Sequence, residues 1–97
     1  MAYQTSIKKV PGKKIKDIML FTLSTCIWCK KTKALLSDLG LEYSYVDVDL
    51  LFGRDQEEAY DIMWQHRQST SFPTIIINDG EDVIIGFEEE KIKNITK

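Results

Sequence analysis

The sequence predicts one small α/β domain, and three observations carry that expectation. Its 97 residues suit a single domain. Its apolar residues fall into strand-sized runs that alternate with stretches of helical period. Its two cysteines, Cys26 and Cys29, stand where the first strand-like run gives way to the first helical one. The order read along the chain is β-hairpin, β, α, β, α, β, β, α.

Residues 1–16 are rich in lysine and weakly patterned. Pro11-Gly12 is a turn signal between Ile7–Val10 and Lys14–Leu20. The expectation is a basic extension that forms an N-terminal β-hairpin feeding the first core strand, or else a basic tail. The domain proper then spans residues 17–97. Asp17–Thr22 is a compact apolar run, as in a buried strand. Ser24-Thr25 offers a cap for a helix whose first residue is Cys26. In that helix Trp28, Thr32, Leu35 and Leu39 line one face with Leu36 beside it, and Gly40 is placed to stop it. Glu42–Val48 reads as a strand, because Tyr43, Tyr45, Val46 and Val48 have strong β preference.

Gly53 to Gln68 has helical period, with Ala59, Ile62, Met63 and His66 on one stripe. Asp55 and Glu58 have capping-box spacing, with Gly53 as the rival cap. Phe72-Pro73 breaks that helix. Thr74–Ile77 is a β-branched strand, Asn78-Asp79-Gly80 a hairpin turn, and Val83–Ile85 the returning strand. Glu88 begins a short C-terminal helix, with acids in its first turn and Lys91 and Lys93 later, matching the helix dipole.

The formal net charge of −2 argues for neither a nucleic-acid nor a membrane partner. The N-terminal lysines have no arginine or aromatic cluster with them, so they do not read as a nucleic-acid arm. The apolar runs fall well short of the roughly 20 residues a membrane span needs, and lysines interrupt the N-terminus where a signal peptide would be apolar. The expectation is a cytoplasmic protein. In a reducing compartment a close cysteine pair suggests catalysis or metal binding rather than a structural staple.

The nucleophile of thiol–disulfide exchange is the thiolate. At a helix start, unpaired backbone N–H groups and the helix dipole favour a negative charge by about 0.3–1 kcal/mol. Direct hydrogen bonds must supply anything beyond that, with Lys30 and Lys33 adding a screened contribution. Cys29, one turn further in, is expected to face the core and remain protonated until a mixed disulfide forms on Cys26. The ring the pair closes is very short, so the bond gains less chain entropy than the ~3 kcal/mol of a 15-residue loop and is readily reversed. The competing reading is a zinc or iron–sulfur carrier. Zinc takes four ligands, and the chain offers only Cys26, Cys29 and a distant His66, so a metal would require a dimer or a small thiol. Two structural cysteines are the third reading.

Three segments in order, Ser24-Thr25-Cys26-Ile27-Trp28-Cys29-Lys30, Ser71-Phe72-Pro73-Thr74 and Gly86-Phe87-Glu88, resemble the glutaredoxin-like branch of the thioredoxin fold. The resemblance covers about residues 17–97. It implies a thioredoxin-like, four-stranded mixed sheet flanked by three helices. It also implies a dithiol–disulfide oxidoreductase in which Cys26 attacks and Cys29 resolves. It makes Pro73 a cis proline, with the Phe72 backbone pairing with the bound thiol substrate. Thr25, Trp28, Gly86 and Phe87 join Phe72 and Pro73 as the implied substrate-binding residues.

Four departures bear on the electron donor. Ile27 and Trp28 replace the Pro-Tyr that many glutathione-linked members carry between their cysteines. Leu23 and Thr70 stand where those members usually have a lysine and often an arginine. Gly86-Phe87 replaces Gly-Gly and looks more like the small redoxins served by thioredoxin reductase. The implied donor is therefore a low-molecular-weight thiol, glutathione or another, or a flavoprotein reductase, with no bound cofactor. The implied partners are disulfide-containing proteins, met by a monomer. His66, Tyr60, Trp64, Asp47, Asp49 and Glu88-Glu89-Glu90 read as packing, strand-end or helix-start residues rather than as site residues.

Overall fold

The computed structural model describes residues 6–67 and 70–96. Five strands, β1 (Lys8–Val10), β2 (Ile18–Thr22), β3 (Tyr43–Asp47), β4 (Thr74–Ile77) and β5 (Asp82–Ile85), combine with three α-helices. The helices are α1 (Ile27–Asp38), α2 (Gly53–Arg67) and α3 (Glu89–Lys93). The strands form one sheet in the order β1-β3-β2-β4-β5. β2 and β3 are parallel, joined through α1, and every other pair is antiparallel. This is the thioredoxin-like arrangement with a fifth strand, β1, added at the edge. The expected helix residue Gln68 lies outside the described residues, and the C-terminal helix is shorter than expected, giving way to a 3₁₀ turn at Asn94–Thr96.

Side chains alternate along each strand, and the sheet is covered on both faces. Ile18, Leu20, Tyr43, Ile75, Ile77 and Ile84 pack with Leu36 of α1 and Ile92 of α3. Phe21, Val46 and Ile76 point the other way, against Ala59 and Met63 of α2. β2 lies between β3 and β4 and is buried on both sides, which is why it reads as a continuous apolar run rather than an alternating one.

The end of α1 is fixed as the sequence predicts. Gly40 has φ +73°, its N–H donates to the Ser37 carbonyl at 2.9 Å, and the Leu41 N–H donates to the Leu36 carbonyl at 3.1 Å. These two bonds are the Schellman pair, closed by contact between Leu36 and Leu41 in the core. The apolar face of α1 is rotated from the predicted one: Cys29, Thr32 and Leu36 are its buried residues, while Trp28 is half exposed.

The N-terminal hairpin is corrected. Pro11-Gly12 does redirect the chain, but β1 pairs antiparallel with β3, Lys8 opposite Tyr45 and Val10 opposite Tyr43. β2 has both edges occupied by β3 and β4, so no edge remains for β1 to join. Instead the segment after the turn is tied to the end of α1: the Lys13 N–H donates to the Gly40 carbonyl at 2.8 Å and the Glu42 N–H to the Lys13 carbonyl at 3.0 Å. No described helix is long and apolar enough to cross a membrane.

Candidate active site at one edge of the sheet

The strand directions bring four chain segments to one end of the sheet. β2 and β3 are parallel, β4 runs against β2, and β5 against β4. The C-terminal ends of β2, β3 and β5 therefore lie beside the N-terminal start of β4. β2 delivers Cys26, β3 delivers Asp47 and Asp49, Phe72-Pro73 leads into β4, and Gly86-Phe87 leaves β5.

Cys26 is the N-cap of α1, in an extended conformation, rather than the first helical residue. The expected cap by Ser24-Thr25 is replaced by sulfur: the Cys29 backbone N–H donates to Cys26 Sγ at 3.2 Å. Ser24 is engaged elsewhere. Its N–H and its hydroxyl donate to the two Asp49 carboxylate oxygens at 2.8 and 2.6 Å. That pair of bonds ties the turn before Cys26 to the end of β3, and it holds the Asp49 carboxyl below the usual carboxylate range. Thr25 is exposed within this turn.

The two thiols, both free, sit in unlike surroundings. Cys26 is partly exposed, whereas Cys29 has 0% exposure. Burial, reinforced by the hydrogen bond to the Cys26 side chain, pushes the Cys29 thiol up to about 12. The exposed sulfur thus faces an N–H donor and the buried one is held neutral.

Four of the six residues implied as substrate-binding line one groove of about 200 Å³: Trp28, Phe72, Gly86 and Phe87. Trp28 stacks on Phe87 with ring centroids 5.7 Å apart, and Lys31 Nζ sits 4.8 Å above the Trp28 ring. The Phe72–Pro73 peptide is cis. Pro73 is buried, and its carbonyl accepts the Gly86 N–H at 2.7 Å. Phe72 is braced edge-on by Tyr60 of α2, with centroids 6.1 Å apart. Tyr60 thus packs against Phe72, a contact between two elements that helical spacing alone does not reveal. His66 rests against Gly80 at the β4–β5 turn, consistent with packing. Among the described residues no three of His, Cys, Asp and Glu gather where they would hold a metal ion.

The glutaredoxin family model matches residues 18–83, from β2 to β5. The chain belongs to the glutaredoxin family. A glutaredoxin-like 8.6 kDa protein in the rubredoxin operon of Clostridium pasteurianum is 30% identical over 78 residues, 80% of this chain and 95% of that one. Among solved structures, a glutaredoxin from Methanosarcina mazei Go1 is 46% identical with a TM-score of 0.84, over 92% of this chain and 85% of its own. Methanosarcina acetivorans methanoredoxin is 45% identical with a TM-score of 0.82, over 88% of each chain. Membership in the glutaredoxin family supports a thiol redox role, and the unlike environments of Cys26 and Cys29 give that role a physical basis.

Proposed function

We propose that this glutaredoxin is a dithiol–disulfide oxidoreductase that carries electrons to protein or mixed disulfides through Cys26 and Cys29. The observation that supports this most is the contact between them: the Cys29 backbone N–H on the Cys26 sulfur, at the open end of α1. A thiolate at Cys26 attacks one sulfur of the substrate disulfide, and the other sulfur leaves as a thiolate. Cys29 then gives up its proton and attacks Cys26 Sγ. The Cys26–Cys29 bond forms, the mixed disulfide breaks, and the second substrate sulfur departs with the electron pair. Two substrate sulfurs are reduced and two protein sulfurs oxidised.

The groove of Trp28, Phe72, Gly86 and Phe87 receives the chain around the substrate disulfide, with the Phe72 backbone along the bound thiol and Thr25 at the rim beside Cys26. A low-molecular-weight thiol or a flavoprotein reductase restores the reduced pair. The test is steady-state reduction of a protein disulfide with glutathione, other small thiols or thioredoxin reductase as donor, assayed side by side. Turnover with at least one donor, lost in Cys26→Ser, is the expected result. A wild-type protein that reduces no disulfide with any of these donors would sink the reading.

A further inference from the structure

Lys33 lies one helical turn beyond Cys29, at the i, i+4 spacing that makes side chains neighbours. It differs from the other lysines of that stretch: Lys30 and Lys31 are exposed, whereas the Lys33 side chain is only 23% exposed. Its ammonium is held from two sides by β3. Nζ is 3.5 Å from Asp47 Oδ1 and 3.9 Å from the centre of the Tyr45 ring. Asp47 is itself fixed, because its carboxylate accepts the hydroxyl of the buried Thr22 at 2.6 Å, and that hydroxyl also reaches the Val46 carbonyl at 3.1 Å. A chain of contacts from β2 through β3 thus sets the place of one cation beside the cysteine helix.

A freely moving surface lysine needs no such tethering. A fixed charge beside a group that must become an anion favours that anion without having to be ordered during the step. We propose that Lys33 is a positioning residue for the resolving step, its tethered ammonium favouring the Cys29 thiolate as that thiolate attacks the mixed disulfide on Cys26. This inference rests on the dithiol mechanism above. The charged and titratable groups facing Lys33 are Asp47 and Tyr45 of β3, Asp49 just beyond, and Cys29 and Lys30 one turn back on its own helix. Asp47 opposes the effect, and the Thr22 hydrogen bond holds its carboxylate in place without cancelling its charge, so the neutral variants read the balance of the two. The Lys33 charge acts in the same sense on the Cys29 thiol, drawing it down against the larger effect of burial.

The full-length reduced protein is mixed in stopped flow with 5,5′-dithiobis(2-nitrobenzoate), which releases one thionitrobenzoate as Cys26 is modified and a second as Cys29 resolves. Lys33→Met keeps a long unbranched side chain and removes the charge that faces Tyr45. Its second phase is expected to be about tenfold slower at pH 7, the equivalent of one pKa unit. The first phase should change less. Lys33→Arg should restore the second phase, and Lys33→Gln should repeat the loss as an independent neutral variant. A second phase unchanged in Lys33→Met and Lys33→Gln overturns the inference, as does an arginine variant as slow as the neutral ones. A wild-type protein with no second phase at all instead overturns the dithiol mechanism, so the two failures are distinguishable.

Discussion

The backbone N–H of Cys29 donates to the sulfur of Cys26 at 3.2 Å, so the helix that carries both thiols is capped by one of them. The cap is also the exposed thiol of the pair. Any substitution at Cys26 therefore touches both the start of α1 and the proposed redox site. Helix N-caps are worth about 0.5–2 kcal/mol, so Cys26→Ser, which keeps an acceptor at the same place, should preserve most of the stability that Cys26→Ala loses. Urea denaturation of the two reduced variants checks this.

The burial of Cys29 predicts a distinctive alkaline limb. Its thiol is raised to about 12 in the folded protein, against about 8.5 in an unfolded chain. The folded state then holds this proton more tightly. Its contribution to stability is fully present below the unfolded value and is lost as pH rises toward the folded one. Between about pH 9 and 12 the reduced wild type should lose stability more steeply than Cys29→Ala. Parallel slopes for the two proteins would count against the assignment.

Asp49 gives the opposite limb. Its carboxyl is lowered chiefly by the hydrogen bond from the Ser24 hydroxyl, so it contributes stability above the unfolded carboxyl range that is lost as pH falls through the folded value. Asp49→Ala should therefore be less stable than wild type at neutral pH, with the gap closing in acid. Thermal melts from pH 7 to pH 2 follow the convergence.

Gly12 tests the corrected N-terminal topology. A Cβ at this position would lie 2.6 Å from the Leu41 carbonyl carbon and 2.7 Å from the Glu42 nitrogen, both backbone atoms that cannot swing away. Gly12→Ala should cost about 1–3 kcal/mol. In a simple hairpin turn remote from the end of α1, the same change would cost far less. Chemical denaturation distinguishes the two.

Much of the architecture is legible because it is local. Gly40 ends α1 by a left-handed turn that few other residues adopt. Thr74–Ile77 and the Asn78-Asp79-Gly80 turn declare a hairpin through β-branching and turn chemistry, and Ala59, Met63 and His66 mark the inner stripe of α2. The resemblance groups Phe72-Pro73 and Gly86-Phe87 with the cysteine motif, and the structure brings Phe72, Gly86 and Phe87 to one groove with Trp28. What stayed hidden depends on partners distant in sequence. Pro11-Gly12 signals a change of direction but not which strand β1 then meets. Ser24 looks like a cap until Asp49 arrives from β3 to take its hydroxyl. Trp28, large and apolar, reads as part of the apolar face of α1, yet it is half exposed and stacks on Phe87 after β5. Lys33, Asp47 and Thr22 come from three separate elements, and no spacing in the sequence joins them.

The proposed function turns on a division of labour between the exposed Cys26 and the buried Cys29. The most direct measurement is trapping with a disulfide substrate, using Cys29→Ser and Cys26→Ser in parallel and mass spectrometry of the adducts. A stable mixed disulfide on Cys26 is expected in the Cys29→Ser protein and almost none in the Cys26→Ser protein. Equal trapping in both, or trapping mainly on Cys29, would contradict it.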